Sequence, residues 1–515
     1  MSQKAAINKG GSGLKRQHPA ALLGYTTKNF WLLLIPLIRG LAALKFDFYR
    51  WSQGAGWDIL AVTAMIAIAV IRWYYTLYEF SEDGISVKTG MVMKYETKIP
   101  CLNVSAVTGE ENPVLARFGA VKVYIDTDAA SGGKANADVS LMVYKEDRAK
   151  LFNILSAAFR SPENRGDKRE KTGSGMNFTY KASAGSLIAF SVLFSSALSG
   201  VALLMTALSG STDIIGDRLE KDFFKAVNDV SDAVTTLAGR LISGISPAGV
   251  AVSVIIGLGF LISFVANVCR HINFTVSRRG KCIIITGGLI VKRMYCLNSR
   301  KINIADMRQN LLMKLFGVTS VHVNCTGYGK RKNEFPVFIP VCGVRGTESG
   351  GVRGLDGIME KLLTGFSRSE TYINPKLTYI MRFIGPPTAL IFGIQAAGLV
   401  ILMMYPVWRE LIVFMTILCE VPAVWLLFVK ACAYCTSGVN ITADSVCAKY
   451  CKWYAFHTVT VPLERVSQIR ITQNIFQRMN RSCDVHIFTS SEHIGSHRIK
   501  SLPIKEVQEL IRERF

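Results

Sequence analysis

"RFGAVKVYIDT" occupies residues 117–127 and "KLFGVTSVHVN" residues 314–324. Both set Phe-Gly ahead of an alternating strand. In the first, Val121, Val123 and Ile125 share one face while Lys122 and Tyr124 take the other, as a strand's period of two requires. Counting outward from the phrase finds a third copy. With Pro100, Asn298 and Pro462 as anchors, an apolar residue precedes each (Ile99, Leu297, Val461) and another follows four later (Val104, Ile302, Val466). Phe118 and Phe316 fall eighteen residues past their anchors, and Asn480 takes that place in "QRMNRSCDVHIFT". A spacing that holds three times without a gap is an internal repeat. Gly119 and Gly317 are expected to supply a positive φ at strand entry, which Arg481 can adopt only at a cost. The Phe rings are expected to be buried and to anchor small cores. Each copy closes on a helix-like run: "KEDRAKLFNILSAAF", "LDGIMEKLLTGF" and "PIKEVQELIRERF".

The chain has 515 residues, half of them hydrophobic, and a formal net charge of +23. Such a length exceeds one core, and the apolar runs assign the charge to a membrane surface rather than to nucleic acid. Six apolar segments stand out, at about Phe30–Leu44, Ile59–Tyr78, Leu187–Leu208, Gly249–Val268, Ile384–Tyr405 and Leu411–Val429. The first is short and carries Pro36 and Arg39; a spanning helix needs about 20 apolar residues. They pair into three hairpins, each followed by a polar stretch. The division read from this is a basic tail (1–28), hairpin 1 (29–78), domain 1 (79–160), a linker (161–182), hairpin 2 (183–269), domain 2 (270–366), a linker (367–376), hairpin 3 (377–430) and domain 3 (436–515). Within hairpin 2, residues of about 213–245 carry Ile215, Leu219, Phe223 and Val227 at helical spacing, as an external amphipathic helix would. The fold class expected is therefore a multipass α-helical membrane protein with six transmembrane helices and three small α+β domains.

At this point the residues from "ISVKTGMVMKYETKIP" to "RFGAVKVYID" resemble the bacterial pleckstrin-homology-like family typified by the YdbS and YdbT membrane proteins. The resemblance implies an antiparallel β-barrel capped by a C-terminal helix for each domain. It implies no catalytic activity, and an association of some members with resistance to antimicrobial peptides.

The first 28 residues hold Lys4, Lys9, Lys15, Arg16 and Lys28 without an acid, so both termini and all three domains are expected on the cytoplasmic side. Residues 270–370 hold 17 Lys or Arg against 6 Asp or Glu, a balance of +11. From that excess, Arg278, Arg279, Lys292, Arg293 and the tip Lys330, Arg331, Lys332 are candidates for contact with anionic lipid. Within the apolar segments, Glu420, Arg39, Arg72 and Gln395 are the candidate polar site, because a charge at mid-bilayer is costly. Cys432, Cys435, Cys447 and Cys451 have paired spacing, but a membrane helix end and a strand are poor zinc knuckles; thiols without metal are the reading. His493 and His497 fall in a turn. No Walker loop or nucleophile elbow has the right spacing. No cofactor, metal or catalytic set is expected. The leading function is a non-enzymatic binding or assembly platform, with anionic lipid and a protein partner or second copy as partners. The rival is a transporter or lipid-handling protein working through the helices.

Overall fold

The computed structural model describes residues 13–26, 56–128, 137–159, 178–195, 225, 229, 247–329, 337–343, 348–349, 352–366, 372–490 and 496–513. In the first repeat the leading strand β1 (Lys15–Arg16) pairs with β2 (Leu77–Phe80), which follows helix α1 (Gly56–Tyr74) and is extended by β3 (Gly84–Thr89) and β4 (Tyr95–Pro100). After Pro100 a single 3₁₀ turn re-aims the chain into β5 (Val104–Glu111), short helix α2 (Pro113–Arg117), β6 (Ala120–Thr127), β7 (Val139–Tyr144) and closing helix α3 (Lys145–Ala158).

The second repeat carries β8 (Phe178–Lys181), α4 (Ala184–Phe194) and α5 (Pro247–His271), then β9 (Thr275–Arg279), β10 (Cys282–Gly287) and β11 (Lys292–Asn298). Beyond its anchor come β12 (Ile302–Gln309), α6 (Leu311–Leu315), β13 (Val318–Cys325) and β14 (Val337–Gly343). The small pair β15 (Glu348–Ser349) and β16 (Val352–Arg353) leads into α7 (Gly354–Leu362). The third repeat follows the helical hairpin α8 (Met381–Met404) and α9 (Arg409–Thr436) with β17 (Gly438–Ile441), β18 (Ser445–Lys452) and β19 (Ala455–Pro462). It ends with β20 (Val466–Thr472), α10 (Ile475–Met479), β21 (Ser482–Thr489), β22 (Ser496–Pro503) and α11 (Ile504–Arg512). The anchors Pro100, Asn298 and Pro462 each end a strand and precede a 3₁₀ turn, so one local instruction is executed three times.

The repeats are joined through their sheets. Strands run β7-β6-β5-β11-β10-β9-β8 in one sheet and β14-β13-β12-β19-β18-β17 in another. The second half of each repeat thus pairs edge to edge with the first half of the next, through β5 on β11 and β12 on β19. The three small α+β domains expected are present, and they are joined to one another through shared sheets. The physical reason lies in β10, where alternate residues face different cores: Ile283 and Ile285 enter the core of the second repeat, while Cys282 and Ile284 pack into that of the first. A strand buried on both faces reads as a continuous apolar run, as "CIII" does at 282–285. Sharing sheets also enlarges cores that an ~80-residue domain could hardly stabilise alone.

The expectation of six membrane helices is corrected. Among the described residues three helices are long and apolar enough to cross a membrane: Val252–His271, Met381–Met404 and Pro406–Thr436. Thr63–Tyr74 and Ala184–Phe194 are apolar but shorter. Ala184–Phe194 buries Leu187, Phe190 and Ser191, with Phe190 against Val337 and Val341 of β14, so these apolar residues face protein. Hydropathy cannot separate that from a lipid-facing helix. Residues 30–44 lie outside those described, as does the amphipathic stretch 213–245 apart from Lys225 and Asp229.

The backbone at strand entry is as the sequence required. Gly119 has φ +68° and Gly317 φ +63°, and Arg481 adopts φ +53° at the same place. The rings beside them are a different matter. Phe118 is 59% and Phe316 69% exposed, which overturns their reading as buried anchors. Each is the C-cap of a short helix whose inward residue is Leu115 or Met313, and that residue fills the core instead.

Candidate functional site

The second seam carries a buried polar chain. Asp306 on β12 accepts hydrogen bonds from His457 Nδ1 on β19 (3.0 Å) and Arg308 Nε (2.6 Å). His457 stacks on Tyr450 at 5.1 Å between ring centroids, and the Tyr450 hydroxyl lies 2.8 Å from His497 Nδ1 on β22. Burial alone would raise the Asp306 carboxyl, but the hydrogen bonds and charges of His457 and Arg308 hold it well below the usual carboxylate range. The chain thereby ties the second repeat to both halves of the third.

Burial pushes His497 down to about 4 from 6.5. Its neutral form is the one the fold accepts. Above pH 6.5 neither the folded nor the unfolded state protonates it. Between 6.5 and about 4 only the unfolded state takes the proton, so stability falls as pH falls. The loss should approach about 3 kcal/mol near pH 4. Melting of the full chain in detergent between pH 7.5 and 4.5 should fall steeply, and less steeply in His497→Gln; equal slopes would place the acid lability elsewhere.

Beside this chain, at the foot of α9, is a cavity of about 340 Å³ lined by Lys314, Lys449, Tyr372, Asn374, Phe456 and His457 among others. Lys449 Nζ stands 3.5 Å from the centroid of the Tyr372 ring, and Lys314 Nζ 4.5 Å from that of Phe456. An aromatic face orients each of the two ammonium groups. Burial pushes the Lys314 ammonium below its ordinary value, an effect partly offset by the nearby thiols of Cys432, Cys435 and Cys451. Among the described residues no carboxylate forms an ion pair with Lys314. A partly desolvated cation in a polar recess is a place where an anion is welcome.

The residues singled out in the sequence are distributed differently. Arg278 donates to the carbonyls of Lys361 and Leu362 (both 3.2 Å) and so caps α7. Arg293 pairs with Glu110 at 3.1 Å across the first seam. Both are engaged within the protein; Arg279 and Lys292 are exposed. Lys330, Arg331 and Lys332 lie outside the described residues, and so does Arg39. Arg72 sits over the Tyr25 ring at 4.9 Å. Glu420 is half-buried on α9 and Gln395 exposed on α8, with no hydrogen bond or ion pair joining them among the described residues. Arg72, Glu420 and Gln395 share no hydrogen bond or ion pair with one another among the described residues. Lys314, Lys449 and the Asp306–His457 pair were missed. The signal for Asp306 was a charge among apolar residues in the strand "INIADMRQ".

Apolar helices carrying a repeated, seam-joined β-domain define a membrane protein built on tandem repeats. The bacterial PH domain family matches residues 30–158, 232–341 and 389–514, and the chain belongs to that family. It is 22% identical over 337 residues to the UPF0699 transmembrane protein YdbT of Bacillus subtilis (strain 168), a match covering 62% of this chain. The match spans 64% of that relative's length. No solved structure matches.

Proposed function

We propose that the protein is a non-enzymatic membrane platform whose cavity between the second and third repeats receives an anionic lipid headgroup. The observation that carries this is the pair Lys314 and Lys449, held over aromatic rings beside the foot of a candidate spanning helix. A phosphate there would gain two charge-assisted contacts in a partly desolvated recess. The repeats and both termini face the cytoplasm in this reading. Its support is the basic N-terminal segment, which is held on the first repeat by β1 and by Lys15 Nζ to Asp147 at 2.6 Å. A platform of this kind suits the peptide-resistance association that the family resemblance implies.

Native mass spectrometry of the full chain in neutral detergent tests it. Phosphatidylglycerol should be retained in preference to phosphatidylcholine, and Lys314→Ala with Lys449→Ala should abolish the preference. Glycerol 1-phosphate should compete if the headgroup alone is recognised. An unchanged preference in the double variant would contradict the assignment.

A further inference from the structure

Each repeat carries two apolar projections. The first is the tip of its leading hairpin. Met91, Val92 and Met93 stand exposed between β3 and β4, with Val92 93% exposed; Leu289 and Ile290 do so between β10 and β11, and Trp453 and Tyr454 between β18 and β19. Gly90 at φ +103° and Gly288 at φ +106° turn the first two tips, where an added Cβ would fall 1.8 and 2.1 Å from a carbonyl oxygen. Trp453 itself takes the positive φ in the third. The second projection is the short helix after β5, β12 or β20. It exposes Val114 and Phe118, then Leu312, Leu315 and Phe316, then Ile475, Phe476 and Met479.

We propose that these six projections are wedges seated in the headgroup layer of the bilayer that α5, α8 and α9 enter. Their placement argues for lipid over a protein partner. The Leu289 N–H donates to the Cys269 carbonyl at 2.9 Å, at the end of α5, and the Tyr454 hydroxyl to the Pro422 carbonyl at 3.1 Å, on α9. Leu115 of α2 packs with Trp73 of α1, and Leu311 of α6 with Phe383 of α8 and Val429 of α9. The Asn480 carbonyl, closing α10, accepts from the Tyr379 hydroxyl just before α8. Five of the six projections are thus fixed to an apolar helix or the residues leading into one, and the sixth, at Val92, is the repeat equivalent of the Ile290 tip.

Charge agrees with placement. Lys94, Lys292 and Lys452 flank the tips, and Arg117 and Arg478 lie on the short helices. Apolar side chains bordered by cations beside a membrane helix form the interfacial pattern, in which the first bury among acyl chains and the second meet anionic headgroups. The inference does not rest on the cavity, which Val92, Ile290 and Phe476 do not line.

A diazirine-bearing amino acid placed singly at Val92, Ile290 or Phe476 of the full chain tests it in nanodiscs of phosphatidylglycerol and phosphatidylethanolamine. Irradiation and mass spectrometry should give lipid adducts at each site and none from Glu464, an exposed residue at the opposite end of β19 from Trp453. Each variant must melt like the parent; Met93, Leu289 or Met479 replaces a site that does not. Adducts to another segment of the same chain, to a second copy or to water, or lipid labelling at Glu464 equal to that of the three, would overturn the proposal.

Discussion

Asp484→Ala is expected to unfold the third repeat at temperatures where the parent chain is intact. The carboxylate is 1% exposed and receives Arg498 Nη2 at 2.7 Å, Arg382 Nη2 at 2.8 Å, Gln477 Nε2 at 2.7 Å and the Ser501 N–H at 3.0 Å. Burial would raise its pKa, but these donors more than offset that and lower it. Removing the carboxylate leaves two guanidinium groups facing a desolvated hole, a loss of roughly 3–5 kcal/mol. Because Arg382 begins the α8 hairpin, the same change removes one of the ties between the repeat and its helices. Limited proteolysis of the full chain in detergent should cut first within residues 438–513. Asp484→Asn, which keeps the volume and one acceptor, should lose less. A parent-like melting curve for Asp484→Ala would mean that water already reaches the pair.

The second large effect separates two phenylalanines of one repeat. Phe338 on β14 is fully buried in the core of the second repeat, so Phe338→Ala should cost roughly 3–5 kcal/mol. Phe316 stands exposed on α6, and Phe316→Ala in detergent should stay within about 0.5 kcal/mol of the parent. Chemical denaturation of the two variants reads the difference directly. Equal losses would return Phe316 to the core.

The repeat itself was legible because it is local. The anchors at Pro100, Asn298 and Pro462 and the left-handed residue at Gly119, Gly317 and Arg481 follow from spacing and backbone sterics alone. What stayed hidden was everything set by a distant neighbour. Nothing in "CIII" says that Cys282 serves one repeat and Ile283 the next, since a both-face strand loses the alternation that marks a face. Phe118 and Phe316 looked like core residues because a large ring beside a strand usually is one; at the C-cap of a short helix each ring instead stands outside, while Leu115 or Met313 turns inward. Arg278 and Arg293 looked like surface charge until α7 and Glu110 appeared beside them. Asp306 and His457 lie 151 positions apart, and only the pairing of β12 with β19 brings them into contact.

The fusion of the repeats into shared sheets is best tested at its first seam. Glu111 on β5 and Lys292 on β11 stand directly opposite in an antiparallel pair. Opposed residues of that kind have Cα atoms roughly 4.5–5.5 Å apart, within disulfide reach. Glu111→Cys with Lys292→Cys should therefore cross-link under mild oxidation of the full chain, and the disulfide-linked peptides should be found by mass spectrometry. Lys88→Cys with Glu96→Cys, opposed on β3 and β4 within the first repeat, is the control. A control that closes while the 111–292 pair stays reduced would show that the repeats are separate bodies and would contradict the shared sheet.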